Sequence, residues 1–165
     1  NNTQKIVTDK FDNLFKNIDG NKDLIWIDTQ GHEPKVLMGA ENLLKRRFGN
    51  KYEFFSAGIS PISLPNMDPR SLKFLKENNS NKNFHTPKKI NKKMLSYFDI
   101  FLAVDFYVLN QLNILYPKYK HKFRNLTMQF QDINIIDPYQ LEDEEYLKTM
   151  VDIMHVTENI DLEKF

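Results

Sequence analysis

Phe98-Asp99-Ile100-Phe101-Leu102-Ala103-Val104-Asp105 is an apolar run that ends on a charge. It is too short for a free-standing helix. It also lacks the polar alternation of a half-exposed strand. Such runs fit strands covered on both faces, as in a parallel sheet. Directly after it, Val108, Leu109, Leu112 and Leu115 fall at helical spacing, and Pro117 stops them. A buried strand that hands over to a helix is half of a βαβ unit.

The same alternation continues in both directions. Upstream, Leu24-Ile25-Trp26-Ile27 is a second apolar run, with Trp26 expected in the core. A polar turn at 28–33 follows. Pro34 then stands where a first helical turn tolerates proline. Val36, Leu37, Ala40, Leu43, Leu44 and Phe48 carry helical spacing, and Gly49-Asn50 ends that helix. Residues 52–55 predict a strand running into Ser56-Ala57-Gly58. Asp68-Pro69 predicts the start of a helix with Leu72 and Leu75 inward and Phe74 beside them. A short helix is expected over 90–97. Downstream, 122–128 reads as the fourth strand, 129–140 as loop and 142–160 as the last helix. Tyr146, Leu147, Met150, Val151, Ile153 and Met154 are expected along its buried side. Ahead of the first strand, Phe11, Leu14, Phe15 and Ile18 predict an amphipathic helix over 9–18.

Strands alternating with helices predict an α/β chain: a doubly wound, four-stranded parallel sheet with helices on both faces. In such sheets chemistry gathers at the carboxyl ends of the strands. Three of those ends are Asp28, Ser56-Ala57-Gly58 and Asp105, and Asp137 lies in the loop after the fourth strand.

Composition narrows the function classes. The chain has 165 residues, 41% of them hydrophobic and 27% charged, with a formal net charge of +1. That is one domain of ordinary globular make-up. Balanced charge argues against nucleic acid as a partner, and no apolar run reaches the ~18 residues of a membrane span. The start, Asn1-Asn2-Thr3-Gln4, has neither an initiator Met nor a signal peptide, as expected of a fragment or an excised piece. There is no cysteine, hence no disulfide, no thiolate metal ligand and no thiol nucleophile. A cytoplasmic setting is expected. His32 and Glu33 with Asp28 lack a diagnostic ligand spacing, and His85, His121 and His155 are isolated, so neither metal nor cofactor is expected.

Five pieces in order carry a family resemblance. They are Phe55-Ser56-Ala57-Gly58, Asp68-Pro69-Arg70, His85 with Lys88-Lys89, the 98–105 run and Asp137-Pro138-Tyr139. Over about 45–160 the chain resembles the low-molecular-weight protein tyrosine phosphatases. The resemblance implies their three-layer, flavodoxin/Rossmann-like fold, and a phosphotyrosine protein or small aryl phosphate as the partner. In that family a loop of Cys, five residues and Arg-Ser follows the first strand. Its thiolate attacks phosphorus, and its amides and guanidinium hold the phosphoryl oxygens. The Asp of Asp-Pro-Tyr protonates the leaving phenolate. Carried over, that role falls to Asp137, with Tyr139 as the substrate-side aromatic.

The nucleophile loop departs from this pattern. Here it reads Asp28-Thr29-Gln30-Gly31-His32-Glu33-Pro34-Lys35. Asp28 stands where Cys belongs, and no Arg follows. Two unit charges 4 Å apart at an effective dielectric near 20 repel by about 4 kcal/mol. Asp28 and Glu33 therefore oppose a phosphate dianion, and Pro34 removes an amide. Residues 23–33 with Val36-Leu37-Met38-Gly39-Ala40-Glu41 have their own resemblance, to the FkbM methyltransferases, which use S-adenosylmethionine. This divides the chain into 1–44, an N-terminal helix and first strand-loop-helix of methyltransferase type, and 45–165, the phosphatase-like part.

The expected function is thus a phosphatase-family protein without turnover. Three alternatives stand beside it: a methyltransferase fragment, a non-catalytic binding module, and an enzyme using Asp28 as a carboxylate nucleophile. The last would need a metal held with Glu33, Asp105 and Asp137.

Overall fold

The computed structural model describes the backbone of residues 23–28, and residues 44–49, 51–59, 68–78, 89–138 and 141–165. Four strands lie in it: β1 Asp23–Asp28, β2 Glu53–Gly58, β3 Ile100–Ala103 and β4 Phe123–Asn125. All pair in parallel, in the order β2-β1-β3-β4. The sheet therefore grows one way from β1 to β2 and the other way from β3 to β4. The reversal lies between β1 and β3, and at such a switch point the crevice opens beyond the carboxyl ends. The register keeps those ends level: Asp28 faces Gly58, Ile27 faces Ala103, and Ala103 faces Asn125.

Residues 44–48 are helical and end at Gly49. Four further α-helices follow among the described residues: α1 Pro69–Glu77, α2 Lys92–Tyr97, α3 Phe106–Leu115 and α4 Asp143–Asn159. Three begin on a side-chain cap. Asp68 accepts from the Arg70 amide at 2.8 Å with Pro69 in the first turn, Asn91 accepts from Met94 N at 3.0 Å, and Asp105 accepts from Val108 N at 2.7 Å.

Aromatic rings, Phe55 partly buried and the others fully, run across the sheet. Phe55 and Phe98 are 5.3 Å apart, Phe98 and Phe101 6.3 Å, and Phe101 and Phe123 5.6 Å, all tilted or edge-on. Each such pair adds about 0.5–1.5 kcal/mol beyond area burial. Tyr146, Val156 and Leu162 belong to the same core, so the chain's last helix closes it.

The expected doubly wound parallel sheet is present, with differences at element ends. β3 begins at Ile100 because the Phe98 amide caps α2 by donating to Met94 O at 2.9 Å. β4 stops at Asn125, short of the expected 128. There Asn125 Oδ1 accepts from the Thr127 amide at 2.8 Å and its hydroxyl at 2.7 Å, which turns the chain out of the ladder.

On α4 the buried stripe is Tyr146, Thr149, Met150, Ile153, Val156 and Thr157. Leu147 and Val151, expected inward, are 45% and 48% exposed. Successive helical residues are 100° apart, so a stripe centred on Tyr146 and Ile153 carries 147 and 151 around to solvent. The helix expected over 9–18, and the start of the one ending at Phe48, lie outside the described residues.

Candidate functional site

The site is assembled at the sheet's carboxyl edge. β1, the central strand, ends there on Asp28. The backbone position of Asp28 is described and its side chain is not. Gly58 closes β2 beside it, and the chain returns to the same edge when the Ile90 amide donates to Gly58 O at 2.9 Å. Asp105 leaves β3 by capping α3. Ser56, next to last but one in β2, is buried.

Asp137 reaches this edge through the loop after β4. Ile135 and Pro138 are buried on either side of it and anchor the loop. Its charge is felt at Asp105. The Asp105 carboxyl lies above the ordinary carboxylate range, chiefly because it is buried, although the Val108 amide bonded to it works the other way. The neighbouring Asp137 raises it further, against the Tyr107 amide. Two of the four acids that sequence reasoning gathered are therefore brought together. Glu33, with His32, lies outside the described residues, as does Tyr139. Among the described residues no group of three or more His, Cys, Asp or Glu is placed to hold a metal ion.

A further residue went unread in sequence. Arg70 follows the Asp68-Pro69 cap, and its guanidinium returns to grip Asp68 through Nε at 3.1 Å and Nη2 at 3.0 Å. Nη1 donates to Leu141 O at 2.8 Å and to Asp143 Oδ1 at 3.3 Å. The group sits 3.9 Å from the centre of the Tyr146 ring. These bonds hold it firmly in the charged state. Beneath it, Ser71 and the Tyr146 hydroxyl share a buried hydrogen bond. Asp68-Pro69-Arg70 was read as a helix start and as one piece of the family resemblance, with no separate role for the arginine.

Chemically, a half-buried carboxyl beside a second carboxylate can hold or pass a proton. Phe106 and Tyr107, which follow Asp105, and Ile136, which precedes Asp137, are exposed and apolar. No thiol exists anywhere in the chain.

Comparison with known proteins bears on the family and the fold. Residues 37–161 match the family model described as low molecular weight phosphotyrosine protein phosphatase. No curated protein sequence matches the chain. Among solved structures, a low molecular weight protein tyrosine phosphatase from T. tengcongensis is 22% identical. The alignment covers 88% of this chain and 100% of that one, with a TM-score of 0.71. The tyrosine phosphatase Wzb from Escherichia coli K30, in complex with sulphate, is 18% identical over 84% of this chain and 95% of its own, with a TM-score of 0.71. A mutant of YwlE from Bacillus subtilis is 17% identical over the same shares, with a TM-score of 0.69. At these identities the solved structures establish the fold. With three-quarters of its residues matched by the family model, the chain belongs to the low molecular weight phosphotyrosine protein phosphatase family.

Proposed function

We propose that this chain is a phosphatase-family protein that does not turn over phosphate monoesters. One observation carries the reading: the central strand delivers Asp28, not cysteine, to the switch-point crevice, in a chain without any cysteine. The acid side of the site persists as Asp137 beside Asp105. An acid with no phosphoryl intermediate to resolve has nothing to protonate. Hydrolysis of p-nitrophenyl phosphate is expected to equal buffer, and Asp137→Asn to change nothing. Turnover above buffer that Asp137→Asn abolishes would sink the proposal.

The exposed Phe106, Tyr107 and Ile136 favour a second reading, a docking surface for a partner protein at the same edge. Photo-crosslinking from position 106 should then trap that partner in a cytoplasmic extract, and Ile136→Glu should abolish the crosslink.

Part of the same proposal is that residues 1–44 are a methyltransferase-like strand-loop-helix filling the family's first slot, without the cofactor-binding half. Titration with S-adenosylmethionine in a calorimeter should show no binding heat.

A further inference from the structure

Asp137 sits on a long connection, yet it lies close enough to Asp105 for its charge to register there. The buried Ile135 and Pro138 anchor the loop beside it, and the stretch leading on to the next helix is tied down as well. Among the described residues the next regular element after it is α4, which begins at Asp143. Between the two, the Leu141 amide donates to Pro138 O at 3.1 Å, which ties Leu141 to the residue next to Asp137. The carbonyl of that same Leu141 accepts from Arg70 Nη1 at 2.8 Å.

We propose that Arg70 is the positioning residue for Asp137: a guanidinium clasp, rooted in the α1 cap, that holds Leu141 and, through its bond to Pro138, the residue next to Asp137.

The proposal rests on reading Asp137 as the inherited acid position, and it deepens that reading. Three features make the clasp directional rather than generic. Asp68 takes two guanidinium nitrogens side by side, which fixes the plane of the group. Tyr146 supports that plane from one face at 3.9 Å and is itself tied to Ser71 of α1. The remaining nitrogen, Nη1, is thereby aimed at Leu141 O. A lysine at 70 offers one ammonium point and cannot grip both Asp68 oxygens while reaching Leu141.

The test measures the carboxyl titration of Asp105 by carbon-13 NMR in otherwise intact protein. Asp137→Asn is the reference variant, and it should lower the Asp105 midpoint by removing a neighbouring charge. Arg70→Lys should lower it by at least half as much, because a released loop carries Asp137 away. Asp68→Asn guards against misfolding of the first variant. Asparagine caps α1 equally well but no longer steers the guanidinium, so the midpoint should fall in the same direction by less. If Asp137→Asn moves Asp105 while Arg70→Lys and Asp68→Asn, both folded, leave it at the wild-type value, Arg70 merely joins α1 to α4 and the proposal falls. If Arg70→Lys does not fold, Asp68→Asn decides alone. If Asp137→Asn itself leaves Asp105 unmoved, the paired-acid reading fails first and the clasp fails with it.

Discussion

Replacing Asp105 by Asn should stabilise this protein at neutral pH and leave it unchanged in acid. Asp105 has two opposed jobs. Its Oδ1 accepts from Val108 N at 2.7 Å and caps α3, and at a helix start a negative charge is ordinarily welcome. The carboxyl nevertheless lies above the ordinary value of 3.8, so burial and the Asp137 charge outweigh the cap and the helix dipole. A carboxyl raised in the folded state binds its proton more tightly there than in the unfolded chain. Its contribution to stability is full below about pH 3.8 and is lost as pH climbs through the higher folded value.

Asparagine keeps the cap and never ionises. Asp105→Asn should therefore match wild type within about 0.5 kcal/mol at pH 3 and exceed it increasingly up to pH 7. Asp105→Ala isolates the cap. It should fall below Asp105→Asn by about 1 kcal/mol at every pH, or ~2–4 °C in Tm for a chain of this size. Thermal melts of the three proteins from pH 3 to 8 provide the assay. An Asn variant whose advantage shrinks as pH rises would refute the reasoning, because the net effect of the environment on Asp105 would then be stabilising.

Other outcomes follow from the same geometry. Tyr146→Phe removes one partner of the buried bond to Ser71 and should cost about 1–2 kcal/mol in urea unfolding, with no change in the far-ultraviolet spectrum. Asn125→Leu leaves the buried Thr127 amide and hydroxyl without their shared acceptor, and should cost about 2 kcal/mol or more by the same measurement. A methyl group at Gly49 would meet Lys45 O at 2.3 Å, so Gly49→Ala should lower Tm by several degrees even though alanine is the better helix former.

How much of this was legible beforehand depended on the range of the forces involved. The strand at 100–103 was readable because burial on both faces leaves a continuous apolar run, and an apolar run of the same kind marked β1 at 24–27. The cap at Asp68-Pro69 was readable because it is satisfied within two residues. What could not be read was decided across the fold. Which of Tyr146 and Leu147 turns inward depends on where α1 lies, since Ser71 supplies the hydroxyl's partner 75 positions away. The early end of β4 hung on one asparagine choosing the backbone over the ladder. At the site, Asp105 could be nominated by its strand end and Asp137 by the Asp-Pro-Tyr motif of the family resemblance. The arginine that reaches from 70 to 141 carried no mark of that role.

The strand order also has a consequence for how the molecule can be made. β1 is synthesised first, yet it needs β2 on one flank and β3 on the other, and β3 ends only at Ala103. Until β3 has left the ribosome, the middle of the sheet therefore presents an open edge able to recruit strands from other chains. Nascent chains halted near residue 90 should lean on chaperones, whereas those that have also released α4 should hold together unaided.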